Sequence, residues 1–267
     1  MGHSLDGSGN DVSVDADIAD RVHLNLMEVQ SWLGEARGGA VDRRGDELLY
    51  ASRSPLPFLN GALRRGPDGD AVAFLARARS FFFGRRRGFV TFTWPGDPDL
   101  AQAALSAGMV LAMKPFPEMV RRTPLDRLAG DVRPVLDVDD ARTYWEICEA
   151  AYPSLGIPAG TFSEAFDPEQ LLDSDRIWAC LAYQDELPVA CASSWFAGGV
   201  GCLGWIASLP DVRGRGLAAA CTVAATNQTL KLGAELVSLQ ATEMGEDLYR
   251  RLGFEEIFAY QVLGAMP

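Results

Sequence analysis

The feature that most constrains the fold is an apolar segment that leads through a glycine-rich turn into a long alanine-rich segment. Residues 202–209 (CLGWIASL) have the composition of a buried strand. Residues 210–216 (PDVRGRG) are typical of a turn, and the residues from Leu217 onward are typical of a helix. This order predicts a strand–loop–helix unit in the second half of the chain.

The start of that helix is a predicted anion-binding site. The first N–H groups of a helix have no backbone partners, and this end of the helix carries partial positive charge. Gly214 and Gly216 allow the backbone to approach a ligand closely, and Arg213 and Arg215 add positive charge in a chain whose formal net charge is −12. A phosphate group is the expected ligand of such a helix start.

Two motifs in this half resemble those of a known family. Arg213-x-x-Gly216-x-Ala218 stands between the strand and the helix, and residues 248–254 (LYRRLGF) follow a further strand predicted at 236–240. In this order the motifs resemble those of the GNAT superfamily of N-acetyltransferases, where the first is the acyl-CoA pyrophosphate loop and the second closes the cofactor site. The number of residues between the two motifs is enough for one helix, one strand and one short helix.

The resemblance implies an α/β (α+β) fold with a mixed, mostly antiparallel sheet flanked by helices. It also implies acetyl-CoA as cosubstrate and a small-molecule or peptide amine as acceptor, which attacks directly in a ternary complex. The residues that it assigns to acetyl-CoA are Ile206, Ala207, Ser208, Arg213, Gly214, Arg215, Gly216, Leu217, Ala218, Ala219 and Thr242. In the family, the backbone at the end of the strand before the loop pairs with the pantetheine arm.

Tyr249 is the predicted general acid. It lies in the second motif, and a phenol is protonated at neutral pH and can therefore donate its proton to a departing thiolate. No general base is obvious. Glu243 is the candidate for that role, although a carboxylate just before a helix is more often solvated or caps the helix.

Three other interpretations of the loop stay open. Gly214-x-Gly216-x-x-Ala219 also fits the dinucleotide fingerprint, but Gln240 follows the apolar run of the second strand where an acid is expected, and little chain remains after it. A CoA-binding or regulatory module that acetylates no acceptor would carry the same loop. A glycine-rich turn that caps a core helix without any ligand is the simplest case.

Composition excludes several function classes. The 36 acidic residues against 24 basic ones argue against binding a nucleic-acid backbone. The five cysteines lack C-x-x-C pairs and indicate reduced, buried thiols in a cytoplasmic protein. Cysteines and histidines do not cluster at ligand spacing, so no metal is predicted. No apolar run approaches the ~20 residues of a membrane span. We expect no membrane partner, and a homodimer is possible.

The second half shows a regular order of predicted elements. They are a helix at 140–151, a short helix at 162–172, strands at 177–184, 189–196 and 202–209, a helix at 217–232, a strand at 236–240, a helix at 245–251 and a last strand that ends near 263. A crossover helix between the strands before and after it predicts one parallel pair.

The first half contains a weaker copy of this pattern. A predicted strand at 88–92 and a helix at 99–107 place Gly108 where Gly253 lies in the second half. Ala104 then stands in the place of Tyr249, and the segment RRGPDG does not form the pyrophosphate motif. We therefore predict two tandem copies, of which the first has lost its acyl-CoA site.

These patterns define the predicted domains. Residues 1–15 are expected to be a flexible tail or a cloning remnant, 16–128 a degenerate GNAT-like domain and 129–267 the catalytic GNAT domain. The boundary is placed where the segments 121–124 and 133–134, each of which ends in proline, are expected to interrupt regular structure. Aromatic candidates for an acceptor pocket between the halves, with burial in the core as the alternative, are Trp178, Trp195, Trp205, Phe196, Trp94 and Phe58.

Overall fold

The structure is a computed structural model that describes residues 16–173 and 175–267. The tail predicted at 1–15 lies outside these residues. The first half contains α1 (Ala16–Glu35), β1 (Ala40–Arg44), β2 (Glu47–Ala51), β3 (Asn60–Arg64), α2 (Ala71–Phe83), β4 (Phe89–Thr93), α3 (Pro98–Ser106), β5 (Val110–Leu111) and β6 (Phe116–Arg121). The second half contains β7 (Asp131–Pro134), α4 (Val138–Ala151), α5 (Thr161–Ala165), β8 (Ile177–Gln184), β9 (Leu187–Ala197), β10 (Val200–Ser208), α6 (Leu217–Lys231), β11 (Leu236–Gln240), α7 (Glu246–Arg251) and β12 (Glu255–Ala265).

The strands form one sheet that is mostly antiparallel, as predicted. Its order is β1-β2-β3-β4-β12-β6-β11-β10-β9-β8-β7, and β5 pairs with β12. Among the described strands, β10 with β11 and β3 with β4 are the parallel pairs. Each parallel pair is joined by one helix, α6 in the second half and α2 in the first, which supports the prediction of two similar halves.

The two halves exchange strands. Strand β6 of the first half lies between β11 and β12 of the second half. Strand β12 pairs with β6 over Glu255–Tyr260 and then with β4 over Gln261–Ala265. The two halves are therefore joined in the middle of the sheet by backbone hydrogen bonds that cross the predicted domain boundary.

One face of the sheet is covered by α1 and α4, and its core spans both halves. Leu26 and Phe92 of the first half belong to the same buried cluster as Tyr144 and Trp195 of the second. Trp32 packs edge-on against Trp195, with ring centroids 5.7 Å apart. On the other face, α6 packs on β8, β9 and β10 around a second buried cluster. The open ends of β10 and β11 thus lie between two well-packed layers.

Two local predictions were wrong, and proline explains both. The helix predicted at 162–172 is α5 followed by a separate 3₁₀ turn at Pro168–Leu172, because proline disfavours a helical conformation at the residue before it. Arg133-Pro134 was expected to interrupt regular structure, but both residues belong to β7, where Pro134 is opposite Cys180. Strand β7 is at the edge of the sheet, where a missing N–H is tolerated.

Candidate active site

Strands β10 and β11 separate near the middle of β10 and leave an open edge. Their parallel pairing runs from Val200 opposite Leu236 to Leu203 opposite Leu239, while β10 continues to Ser208. Between Gly204 and Ala207 the pairing of β10 with β9 also shifts register. The backbone groups of β10 beyond Leu203 are therefore not paired with β11.

The bulge is held by hydrogen bonds from side chains of α4 and β9. Trp205 has a left-handed backbone with φ of 49°, which is unfavourable for a bulky residue. The Tyr144 hydroxyl of α4 donates to the Trp205 carbonyl at 2.9 Å, and Ser193 Oγ donates to the Gly204 carbonyl at 2.9 Å. Tyr144 is fully buried, and burial raises the pKa of its phenol well above the ordinary value. The strained backbone is therefore fixed by neutral donors.

Helix α6 begins without a side-chain cap. Gly216 is the N-cap residue, and no side chain accepts a hydrogen bond from the first turn. Gly214 and Gly216 have φ of 77° and 80°, a conformation that favours glycine although an added Cβ would meet no atom within 4 Å. The N–H groups of the first helical turn are consequently free to bind an anion.

The two arginines of the loop have different contacts. Arg213 Nη2 donates to the Ala151 carbonyl and to Ser154 Oγ, both at 2.9 Å, and so ties the loop to the end of α4. Arg215 lies at the surface, where its Nη1 donates to Gln184 Oε1 at 3.1 Å. Arg213 thus has a structural role in addition to any contact with a ligand. Arg215 can move toward an anion at a small cost in free energy, because its contact with Gln184 is exposed to solvent.

A cavity of about 320 Å³ connects the open strand edge with the start of α6. The predicted site residues that line it are Ile206, Ala207, Ser208, Arg213, Gly214, Ala218, Thr242 and Tyr249. Of the other predicted cofactor residues, Gly216 is the N-cap of α6, Leu217 and Ala219 lie in its first turn, and Arg215 precedes them. The Thr242 Oγ accepts a hydrogen bond from the Gly245 N–H at 3.3 Å, so this side chain also shapes the turn before α7.

Tyr249 of α7 lines this cavity, and so does a second phenol, that of Tyr152. The Tyr249 ring is nearly buried, with 8% of the residue exposed, and packs edge-on against Phe254. Gly245, one turn earlier, has no side chain, and a Cβ there would lie 2.7 Å from the Tyr249 ring. Burial raises the pKa of Tyr249 above that of a free phenol, so the hydroxyl carries its proton throughout the physiological range.

Glu243 lies on a different surface. Its Oε2 pairs with Lys114 Nζ at 2.7 Å, and 77% of its side chain is exposed. Glu243 lines a larger cavity of about 950 Å³ between the two halves and does not line the smaller one. Lys114, which belongs to the first half, therefore neutralises the carboxylate of Glu243, the predicted general base.

The larger cavity meets the smaller one at the bulge. Residues that line both cavities are Tyr152, Leu155, Leu203, Gly204, Trp205, Gln240 and Thr242. Of the aromatic candidates for an acceptor pocket, Trp195, Trp205 and Phe58 line the larger cavity. Trp178 packs in the cluster on the α6 face, Trp94 lies in the core near His23, and Phe196 lines neither cavity. A bound molecule can thus extend from the interdomain cavity to the bulge.

A buried carboxyl beneath this junction was not found from the sequence. Glu118 of β6 is fully buried and accepts a hydrogen bond from Gln240 Nε2 at 2.6 Å, while its Oε1 has no partner among the described residues. Burial raises the pKa of Glu118 to about 8. The only local signal was a charged residue in the apolar run FPEMV, and its partner Gln240 lies in the other half. The contact depends on the strand exchange.

The corresponding helix start in the first half is closed. The Asp70 side chain caps α2 by accepting hydrogen bonds from the N–H groups of Val72 and Ala73. Just before it, Arg64 is buried against Asp97, with Nη2 to Oδ1 at 2.6 Å. A carboxylate already occupies the place where an anion would bind, and Arg64 is neutralised by Asp97. Both observations support the prediction that the first half is a degenerate copy.

The mixed sheet, the bulged open strand and the uncapped helix start form the arrangement of a GNAT fold. Residues 141–254 match the model described as the acetyltransferase (GNAT) family, so the match places an acetyltransferase domain in the second half of the chain. A comparison with curated proteins finds no match.

Solved structures of similar fold cover both halves. A GCN5-related N-acetyltransferase from Kribbella flavida shares 23% identity over 92% of this chain and 95% of that chain, with a TM-score of 0.69. One from Sphaerobacter thermophilus shares 15% over 93% of each chain, with a TM-score of 0.61. A tandem GNAT protein from the clavulanic acid biosynthesis pathway shares 17% over 96% of each chain, also with a TM-score of 0.61. The two-half architecture is thus a known form of the fold.

Proposed function

We propose that the chain is an N-acetyltransferase that moves an acetyl group from acetyl-CoA to a primary amine by direct attack in a ternary complex. The observation that carries this proposal is a continuous cavity, which joins the uncapped start of α6, the open edge of β10 and the Tyr249 ring. Acetyl-CoA contains a diphosphate, a pantetheine arm with amide groups and a thioester, in this order. The free N–H groups at the start of α6 suit the diphosphate, the open edge of β10 suits the amides, and the Tyr249 hydroxyl suits the thioester sulfur.

The chain's backbone would hold the cosubstrate. N–H groups from Gly214 to Ala219 would bind the diphosphate, and the free backbone of residues 206–208 would pair with the amides of the pantetheine arm. Acetyl-CoA, when bound, supplies an activated acetyl group on a thiolate leaving group. The absence of a side-chain cap on α6 supports this fit, because its N–H groups otherwise lack partners.

Tyr249 is the proposed proton donor. The amine nitrogen bonds to the carbonyl carbon, the carbon–sulfur bond breaks, and the sulfur takes the Tyr249 proton, which solvent then replaces. A phenol of raised pKa gives its proton readily only to an acceptor that is itself poorly solvated, and burial of the cavity wall favours that condition. Glu243 is the proposed acceptor of the proton lost by the amine, by way of water.

A non-catalytic CoA-binding module is the second candidate, because the same cavity would bind acetyl-CoA without an acceptor. Two measurements separate the candidates: calorimetry with acetyl-CoA, and release of free CoA thiol in the presence of a panel of primary amines. Amine-dependent thiol release supports the transferase. Tight binding without release by any amine supports the module, and no binding of acetyl-CoA contradicts both.

A further inference from the structure

The larger cavity between the halves has an apolar interior and charged groups only at its rim. Its charged lining residues are Lys114, Glu243 and Glu246. Lys114 and Glu243 neutralise each other, and Glu246 Oε1 accepts from Arg250 Nη2 at 2.8 Å. A polycationic molecule would therefore meet no unpaired carboxylate among the described residues that line this cavity.

The interior walls come from both halves and include seven aromatic residues. Phe58 packs edge-on against Phe116 at 6.2 Å and lies 6.5 Å from Phe92, measured between ring centroids. Trp195 and Trp205 of the second half also line the cavity. A volume of about 950 Å³ is large for an amine of a few atoms and suits a molecule with a bulky apolar body.

Two polar atoms in these walls lack partners among the described residues. Gln30 Oε1 and Trp195 Nε1 are buried without a hydrogen bond, and both residues line the cavity. An unpaired buried acceptor and donor are unfavourable, so a bound molecule with a hydroxyl or amide group would stabilise them.

The amine end of such a molecule has a defined place. Gln240 lines both cavities, and its amide nitrogen is committed to Glu118 Oε2. This contact directs Gln240 Oε1, which otherwise has only a sulfur contact of 3.9 Å with Cys202, as an acceptor for an amine N–H. The apolar body would then extend into the interdomain cavity while the nitrogen lies at the bulge.

We propose that the acceptor is a primary amine attached to a bulky, apolar, ring-containing body that binds between the two halves. This inference rests on the proposed function, since it names the acceptor class of the same site. Polyamines and other polycations are disfavoured by the charges described above. The first half, which lacks an acetyl-CoA site, would contribute to acceptor selection.

The test compares 4-phenylbutylamine, butylamine and spermidine as acceptors, and measures binding of 4-phenylbutylamine directly through tryptophan fluorescence. We expect kcat/KM for 4-phenylbutylamine to exceed that for butylamine by at least about tenfold, because the ring adds buried apolar area. Phe58→Ser should remove most of this ratio. Phe81→Ser, which changes a half-buried phenylalanine of the same half outside the cavity, should preserve it.

Binding separates this inference from the proposed function. Saturable binding of 4-phenylbutylamine that Phe58→Ser weakens supports the cavity even if no amine is acetylated. Three results would overturn the inference: equal kcat/KM for 4-phenylbutylamine and butylamine, a higher kcat/KM for spermidine, or no binding of 4-phenylbutylamine. In each of those cases thiol release with another amine leaves the transferase proposal intact. An unchanged acetyl-CoA thermal shift shows that each variant is folded.

Discussion

At the residue scale, the proposed chemistry depends on one hydroxyl. Tyr249 combines burial, a place on the cavity wall and close packing over Gly245, so its position is fixed before a ligand binds. Tyr249→Phe removes the proton donor without changing the packing of the ring. The variant separates a chemical role of Tyr249 from a purely structural one.

We expect Tyr249→Phe to lower kcat by about 100-fold or more, since general acid catalysis commonly contributes that much. The Kd for acetyl-CoA should change by less than about threefold, because the ring still lines the cavity. Single-turnover kinetics and calorimetry measure the two quantities. Tyr183→Phe on β8, outside both cavities, is the matched control. A variant with unaltered kcat would exclude the acid role.

The buried Glu118 gives a prediction about stability and pH. Its folded-state pKa of about 8 lies above the ordinary value of 4.5, so its protonated form favours the folded state. This contribution is complete below pH 4.5 and is lost as pH rises to about 8.

Glu118→Gln keeps the shape but cannot ionise. From pH 5 to pH 8 the free energy of unfolding of the parent should fall relative to that of the variant, by about 1.4 kcal/mol for each unit of pKa difference that is crossed. Urea denaturation at several pH values measures this. A difference between the two proteins that does not vary with pH would show that the carboxyl does not titrate in this range.

At the element scale, the start of α6 has opposite requirements for stability and for binding. A negative charge in the first turn of a helix stabilises the helix, but here it would repel a diphosphate. Ala218 lies in that turn and lines the smaller cavity. The pair Ala218→Asp and Ala218→Asn differs in charge and hardly in size.

Relative to Ala218→Asn, we expect Ala218→Asp to raise the free energy of unfolding by roughly 0.3–1 kcal/mol and to weaken acetyl-CoA binding by at least about tenfold. The difference in binding should shrink at high salt, which screens the charges. Denaturant titration and calorimetry provide the two numbers. Equal affinity of both variants for acetyl-CoA would place the diphosphate elsewhere.

Local sequence signals predicted the elements around the loop well. Strands β8 and β11 have the predicted bounds, and α6 begins at the predicted residue, because apolar runs, glycines and alanines act within a few residues. Helices α1 and α2 of the first half were not predicted, since no recognisable motif anchored that region. The Glu118–Gln240 contact was inaccessible because it joins positions 122 residues apart through a strand exchange.

At the scale of the whole molecule, the exchange of β6 and β12 makes the halves interdependent. Without β6, strand β11 would expose an unpaired edge and β12 would lose its neighbour over Glu255–Tyr260. The proposed division at 128/129 therefore describes the order of the sequence better than it describes units that fold alone.

We expect residues 129–267 expressed alone to lack a cooperative unfolding transition and to aggregate. Co-expression with residues 1–128 should restore a 1:1 complex that binds acetyl-CoA. Size-exclusion chromatography with light scattering, together with thermal denaturation, checks both statements. Co-expression with residues 1–112, which lack β6, is the control and should fail. A monomeric, cooperatively folded 129–267 fragment would contradict the interdependence of the halves.

The Asp70 cap determines how many acetyl-CoA molecules we expect one polypeptide to bind. Its carboxylate acts as a permanent, built-in substitute for the anion that the other copy must recruit from solution. Titration with cosubstrate should accordingly saturate at one equivalent per polypeptide. Because the first half has no acetyl-CoA site to maintain, substitutions in its residues that line the larger cavity can alter acceptor binding without affecting the proposed acetyl-CoA site of the second half.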